Sequence, residues 1–353
     1  MRRRLSPHCE VLAVLKADAY GHGAVPIAKA LANLDVTRFG VASPSEGVAL
    51  RQAGLTHQIL ILGPLFPEQL PDLIAHHLTP TISSLELVAP LSRLLQDRKD
   101  PYPVHIKVET GMGRLGFLPD AVTDLLALPV FKSVLRVEGL MTHLADADNE
   151  DSHYTKQQLA LLQSALTRIE SAGFNVPIVH AANSAAIIAH PSTHLTLVRP
   201  GLLLYGYAPS PRLSEKLAIT PILTLKTKVA QVRHLEPGAS VSYARSYRAA
   251  RPTTIAVLPI GYADGYSRGL SNRGAVLIRG RRAPIVGRVC MDMTMVDVTN
   301  IPDIHAGEPV TVIGRDGSDR ITAVDLADWL DTIPYEVLCG IGARIPRIYT
   351  HSA

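Results

Sequence analysis

Eight short β-like runs alternate with helix-patterned stretches over about the first 210 residues. No other feature of the chain constrains its fold as strongly. The runs are VLAVLK (11–16), RFGVA (38–42), QILILG (58–63), LTPTIS (78–83), VHIKVE (104–109), RVEGLMTH (136–143), PIVHAANS (177–184) and VRPGLLLYG (198–206). Eight β/α alternations predict an α/β fold with a parallel (β/α)8 TIM-like barrel. Ser43-Pro44-Ser45-Glu46 has the pattern of a helix start: an N-cap serine, proline at the first helical position and Glu three residues on. Asp151 to Ala172 reads as a long helix. After Pro211 the pattern becomes β-rich, with Gly and Pro turns joining PILTLKTKVAQV, SVSYARSYRA, TTIAVLPIGYA, GAVLIRG, APIVGRVCMDMTMVDV and EPVTVIG. Only Thr322–Asp331 reads clearly as helix there. The expected division is a barrel over residues 1–211 and a mostly β C-terminal domain over residues 212–353.

Composition narrows the function classes. A chain of 353 residues with 47% hydrophobic content can bury a large core. Its +4 formal charge forms no basic stripe, and the short clusters Arg2-Arg3-Arg4 and Arg279-Gly280-Arg281-Arg282 read as solvated surface. Nucleic-acid binding is not indicated. Cys9, Cys290 and Cys339 have no metal-ligand spacing, and a sparse, odd count suits a reducing compartment. No run reaches membrane-spanning length, and Val11–Leu15 is too short for a signal core. A cytoplasmic protein with no metal and no membrane partner is expected.

Active sites of such barrels lie at the carboxyl ends of the strands. Lys16 and Tyr20 end the first run. Lys107 lies on the fifth, and Arg114 follows in GMGRLG. His143 ends the sixth, Asn183 and Ser184 the seventh, and Arg199 and Gly201 stand at the eighth. Each alone has an ordinary reading, as a solvated strand-end lysine, a satisfied core histidine or a helix cap. Together at one end they are hard to assign to packing. A lysine after a buried strand is expected to be desolvated, with a lowered pKa and a usable amine nucleophile. Asn183-Ser184 can open a helix, and Gly201 and Leu202 offer free backbone N–H groups on a turn, an arrangement that binds phosphate without a lysine. An aldehyde for Lys16 and a phosphate for the turn describe pyridoxal 5'-phosphate.

The chain resembles the bacterial alanine racemases. AVLKADAYGHG, KVETGMGRLGF, MTHLADAD, HAANSAA, VRPGLLLYG, VSYARSY, IGYADGY, VGRVCMDMTMVDV and YEVLCGIGARIPR occur in family order across nearly the whole chain. The resemblance implies a pyridoxal-phosphate isomerase of the barrel type, cytoplasmic and homodimeric, with small-molecule amino-acid substrates. It would interconvert L- and D-alanine, in supply of peptidoglycan or in catabolism. Lys16 would hold the cofactor and act as base on one face of the substrate Cα, and Tyr243 of the partner subunit would act on the other. His143 would hydrogen-bond that tyrosine, and Arg199 would face the pyridine nitrogen. Tyr20, Asn183, Ser184, Gly201 and Leu202 match cofactor contacts. Arg114 matches a residue near the cofactor phenolic oxygen and the substrate carboxylate. Lys107 matches a lysine often carbamylated, and Met291 a carboxylate contact from the second subunit. Tyr262, Arg268, Arg288 and Asp148 match positions along the access channel.

Two departures stand out. The family usually carries a further segment before this chain's start, so a misassigned start and reduced solubility are expected. Ala343 stands where many members have a tyrosine that touches the phosphate and narrows the channel. The extra space implies tolerance of side chains larger than methyl, such as serine, and leaves a broader amino-acid racemase as the runner-up. A cofactor-binding protein without turnover resembles a lone barrel, so the β domain bearing Tyr243 argues against it.

Overall fold

The computed structural model describes residues 1–350. Two compact units emerge: Met1–Ala19 with Gly23–Ile219, and Tyr20–His22 with Thr220 onward.

The first unit is the (β/α)8 barrel. Its strands are β1 (Glu10–Val14), β2 (Arg38–Val41), β3 (Gln58–Ile61), β4 (Thr79–Ile82), β5 (Tyr102–Lys107), β6 (Leu135–Met141), β7 (Ile178–His180) and β8 (Leu197–Val198). They pair in the order β7-β6-β5-β4-β3-β2-β1-β8, and every pair is parallel. The last seam, between β7 and β8, is irregular. The Thr196 N–H donates to the Val179 carbonyl at 3.2 Å, and the Arg199 N–H to the Ala182 carbonyl at 2.9 Å. Strands β1 to β3 each begin with a polar residue, Glu10, Arg38 or Gln58, and are buried thereafter. Burial on both faces is what a barrel covered by helices demands.

Those helices are α1 (Ala24–Ala32), α2 (Pro44–Gln52), α3 (Leu70–Ala75), α4 (Val88–Leu95), α5 (Val122–Ala127), α6 (Val130–Ser133), α7 (His153–Ser171), α8 (Ser184–Ala189) and α9 (Pro211–Ser214). The expected capping box at Ser43 and Glu46 is present. The expected long helix is α7, which buries Gln158, Leu159, Leu162, Ala165 and Ile169 along one side. No helix among the described residues is long and apolar enough to cross a membrane.

The second unit is antiparallel. One sheet joins β10 (Gln231–Leu235), β13 (Thr253–Leu258) and β16 (Thr294–Asp297). Another is built from β9 (Leu225–Lys228), β14 (Ala275–Ile278), β15 (Arg281–Pro284), β17 (Pro309–Asp316) and β18 (Asp319–Ile321). Two short strands, β11 (Ser240–Val241) and β12 (Tyr247–Arg248), close a hairpin around Tyr243. Leu258, Ile260, Val276, Ile278, Val296 and Val312 lie in its core. Helix α10 (Ala323–Leu330) is the one expected, with Thr322 capping the Asp325 N–H. A second, α11 (Pro334–Cys339), was not legible as helix and begins with proline at its first turn. The β-rich run through Cys290 is interrupted there by a turn. Cys290 N–H donates to the Met293 carbonyl at 2.8 Å in a tight turn, and pairing starts only at Thr294.

Candidate active site

Lys16 follows the last buried residue of the first run, Leu15, and is itself exposed. The expectation of a lysine buried with its strand is therefore corrected: the strand is buried, the lysine residue is exposed. The chain beyond it is unusual. Ala17, Asp18, Ala19 and Tyr20 all have φ between 51° and 54°, a left-handed turn made without glycine. Each such residue costs roughly 1–2 kcal/mol, and strain of this kind persists only where the surroundings fix it. Here the Ala17 N–H donates to Glu46 Oε1 at 2.7 Å, and the Ala24 N–H to Asp18 Oδ1 at 2.7 Å. The other Glu46 oxygen accepts from the Ala42 and Ser43 N–H groups. Glu46 thus both caps α2 and holds the turn after Lys16. Sequence reasoning found only the cap, because the second bond spans 29 residues.

Four cations share the carboxyl end of the barrel. Lys107 is buried, and burial lowers its pKa to about 8, helped by Arg114, Arg199 and Lys16 and opposed by Glu109. His143 is held well below its ordinary value by burial first, and then by Arg199, Arg114, Lys107 and Lys16. The structure thus brings together Lys16, Lys107, Arg114, His143 and Arg199, as the sequence expected. Arg114 sits on a loop organised by Glu109, whose carboxylate accepts from the Gly111 and Arg114 N–H groups. Gln158, fully buried on α7, donates to the His143 carbonyl at 3.1 Å and to Thr110 Oγ1 at 3.3 Å. Neither Glu109 nor Gln158 was singled out from the sequence. A glutamine on the apolar face of α7 was the available signal.

At β7 and β8 the turn expected to offer free N–H groups has them engaged within the chain. Asn183 caps α8 through the Ala186 N–H and donates to the Leu144 carbonyl. The Gly201 N–H is not free: it donates to buried Ser184 Oγ at 2.9 Å, as the Leu203 N–H does at 3.3 Å. Ser184 therefore already gathers the turn's N–H groups around one oxygen, which an anion would replace or share. Arg199 is buried, and its Nη2 donates to the Thr142 and Ala181 carbonyls at 2.7 and 2.9 Å and to His143 Nδ1 at 3.4 Å. Its Nη1 donates to His180 Nδ1 at 3.0 Å. His180, and His105 beyond it, escaped the sequence reading. A histidine inside an apolar strand was the signal.

In the second unit Tyr243 is 70% exposed, on a turn where Ser242, Ala244 and Arg245 all have positive φ. Ser242 Oγ donates to the Arg288 carbonyl at 2.7 Å, which fixes the Tyr243 turn to the 288–293 loop. Met291 and Tyr262 are exposed. Their loops are locked, the Tyr262 and Ala263 N–H groups donating to the Cys290 and Met291 carbonyls at 3.0 Å. A Cβ on Gly261 would fall 2.3 Å from the Cys290 oxygen, so only glycine fits there. Tyr20, counted with this unit, is buried with its ring 5.9 Å from that of Tyr335, and burial raises its pKa strongly. Arg268 lies in a single 3-10 turn, Arg288 is half-buried, and Ala343 is exposed beside Arg344, which pairs with Asp264 and Asp292. Asp148, on the barrel, is exposed and gives its carbonyl to Arg212.

An exposed strand-end lysine, a serine-centred turn and a cluster of four cations at the mouth of a parallel barrel are the features of a barrel enzyme that takes anionic ligands. The sequence profile "Alanine racemase, N-terminal domain" matches residues 1–209, and "Alanine racemase, C-terminal domain" matches residues 222–349. The alanine racemase of Halothermothrix orenii is 45% identical over 98% of this chain and 91% of its own length. That of Methanococcus maripaludis is 42% identical over 99% and 94%. Among solved structures, alanine racemase from Bacillus anthracis with bound L-Ala-P superposes with a TM-score of 0.93 at 34% identity, covering 99% of this chain and 90% of that one. The Bartonella henselae enzyme with covalently bound pyridoxal phosphate gives 0.87 at 30% identity, covering 99% and 94%. The chain belongs to the alanine racemase family.

Proposed function

We propose that this chain interconverts L-alanine and D-alanine with pyridoxal 5'-phosphate as cofactor and Lys16 and Tyr243 as the two bases. The observation that carries the reading is the cationic pocket of Lys16, Lys107, Arg114 and Arg199 around His143. A site of that charge takes ligands bearing anions, here a phosphate and a carboxylate. The donors fit the cofactor. Lys16 offers an amine to the aldehyde, and Ser184 with the Gly201 and Leu202 turn offers hydroxyl and N–H groups to the phosphate, assisted by Asn183. When bound, the cofactor ties an amine to its aldehyde and draws electron density from the neighbouring carbon, which makes the Cα proton removable.

Lys16 and Tyr243 stand on opposite faces of Cα in this reading. One removes the proton and the other returns one, which inverts the centre. A phenol ordinarily titrates near 10, so Tyr243 needs a donor to stabilise its ionised form. His143 supplies one. Its Nδ1 accepts from Arg199, so the single proton of the neutral ring sits on Nε2 and is free to donate. Arg199 would face the ring nitrogen, where its guanidinium, cationic at neutral pH although burial lowers its pKa to about 9, would disfavour a proton on that nitrogen and so limit transamination. Arg114 orients the substrate carboxylate with Met291 of a second subunit. Lys107, lowered toward 8, is partly neutral near neutral pH, the form that carbon dioxide captures as a carbamate. By resemblance, Tyr262, Arg268, Arg288 and Asp148 would be access-channel positions. Exposed Tyr243 and Met291 support a homodimer with shared sites. Cys9, Cys290 and Cys339, none of them in a disulfide among the described residues, support a cytoplasmic location, where D-alanine would feed peptidoglycan.

The test is direct. The loaded protein should be yellow and lose that absorbance on Lys16→Ala. Incubated with L-alanine in heavy water, it should yield D-alanine carrying deuterium at Cα. Coloured protein that exchanges no Cα proton would overturn the assignment.

A further inference from the structure

The interior of a (β/α)8 barrel is ordinarily filled by branched apolar side chains. Here a polar chain crosses it. From Arg199 Nη1 it runs 3.0 Å to His180 Nδ1, then from His180 Nε2 2.8 Å to His105 Nδ1. His105 Nε2 lies 3.6 Å from Glu138 Oε2, an oxygen that also accepts from Gln58. Gln58 in turn accepts from Arg38, which pairs with Glu10 at the opposite end of the barrel. Both rings are almost wholly buried and meet edge to face at 81°. Gly139 makes the space for one of them, since a Cβ there would lie 2.3 Å from His105 Nδ1.

We propose that Glu138, His105 and His180 form a one-way relay that positions Arg199, with each histidine neutral and its proton on Nε2. Direction follows from donor chemistry. A guanidinium has no acceptor, so His180 Nδ1 must accept and its one proton must sit on Nε2. That proton points at His105 Nδ1, which must also accept, so the His105 proton is on Nε2 and faces the carboxylate. A second proton on His180 would set N–H against the Arg199 N–H, and one on His105 would set N–H against that of His180. Charge agrees with geometry. Burial, Arg199 and Arg38 all hold both histidines below their ordinary range, and Glu138 alone pulls His105 the other way. Glu138 thereby supplies, through two rings, the negative end for a guanidinium that forms no ion pair with a carboxylate among the described residues. Its functional consequence rests on Arg199 facing the cofactor ring, as proposed above.

Two measurements test this. In cofactor-free, isotope-labelled protein, long-range proton–nitrogen spectra should show both rings as neutral Nε2–H tautomers from about pH 5 to about pH 9. A proton on Nδ1, or an imidazolium in that range, would overturn the relay whatever the enzyme does. In the loaded protein, His180→Phe removes the acceptor while keeping a ring, and His180→Gln keeps an acceptor. Losing a hydrogen bond from a charged group should raise abortive transamination per racemisation turnover by at least about tenfold in the Phe variant, with the Gln variant between it and the wild type. An unchanged ratio would overturn the positioning role. Correct tautomers in a wild-type protein without racemase activity would leave the relay standing and count against the functional reading instead.

Discussion

Lys107 is the residue whose environment makes the sharpest pH claim. Burial lowers its amine from the ordinary 10.5 to about 8. Between those values the unfolded chain binds more protons than the folded chain, so stability rises with pH across that window. Below about pH 8 the whole penalty is present, up to about 3 kcal/mol, and above about pH 10.5 it has gone. In carbon-dioxide-free buffer, Lys107→Met should therefore raise the melting temperature of cofactor-free protein at about pH 7, with the gain shrinking as the pH approaches 10. A gain of the same size at both would show that charge burial is not its source. Bicarbonate should stabilise the wild type by mass action and leave the Met variant where it was. Ala343 makes a different kind of claim. It neither donates a hydrogen bond nor fills space. Ala343→Tyr should lower the ratio of kcat/KM for serine to that for alanine, by about tenfold on the scale of one excluded small group. An unchanged ratio would remove Ala343 from the specificity argument.

At the scale of elements, the turn from Ala17 to Tyr20 is the most costly piece of backbone, and Glu46 is the side chain that holds it to α2. Glu46→Ala removes acceptors for the N–H groups of Ala17, Ala42 and Ser43. The loss should be about 2–3 kcal/mol in a denaturant titration. Ala17→Gly relieves left-handed strain at one position, worth about 1 kcal/mol while the turn is enforced, and should gain less in the Glu46→Ala background, where the turn can relax. An equal gain in both backgrounds would show that Glu46 is not what imposes the turn. This element also marks where sequence reading ends. The eight strands were legible because apolar runs separated by helical stretches have one efficient packing. Lys16, Arg199 and His143 were legible because polar residues at strand ends have no packing reason to be there. The left-handed turn was not, since four non-glycine residues with positive φ have no local sequence signature. Nor were His105 and His180, because strands of a covered parallel barrel are buried on both faces, and alternation does not say which residue points to the axis. Gly201 illustrates a smaller gap: the turn was legible, but not that Ser184 already occupies its N–H group.

For the molecule as a whole, the proposed division of labour puts the two bases on different units of the chain. Lys16 closes a strand of the barrel. Tyr243 stands 70% exposed on a strained hairpin of the β unit, and Met291, at 53%, stands on the loop to which that hairpin is fixed. The phenol is held openly, and the hairpin that carries it is tied down as though the side chain were to be presented to another surface. If each site joins Lys16 of one subunit to Tyr243 of its partner, the dimer's symmetry makes a quantitative demand. Lys16→Met and Tyr243→Phe proteins should each lose at least about a hundredfold in kcat, the contribution of a positioned acid or base. Unfolded together and refolded as an equal mixture, half of the dimers should be mixed. A mixed dimer places both substitutions in one site and neither in the other. About one quarter of wild-type racemisation should then return, read as D-alanine formed from L-alanine. Sites built within single subunits would carry one lesion each, and the mixture would stay as inactive as its parents. The shared-site arrangement stands or falls on that recovery.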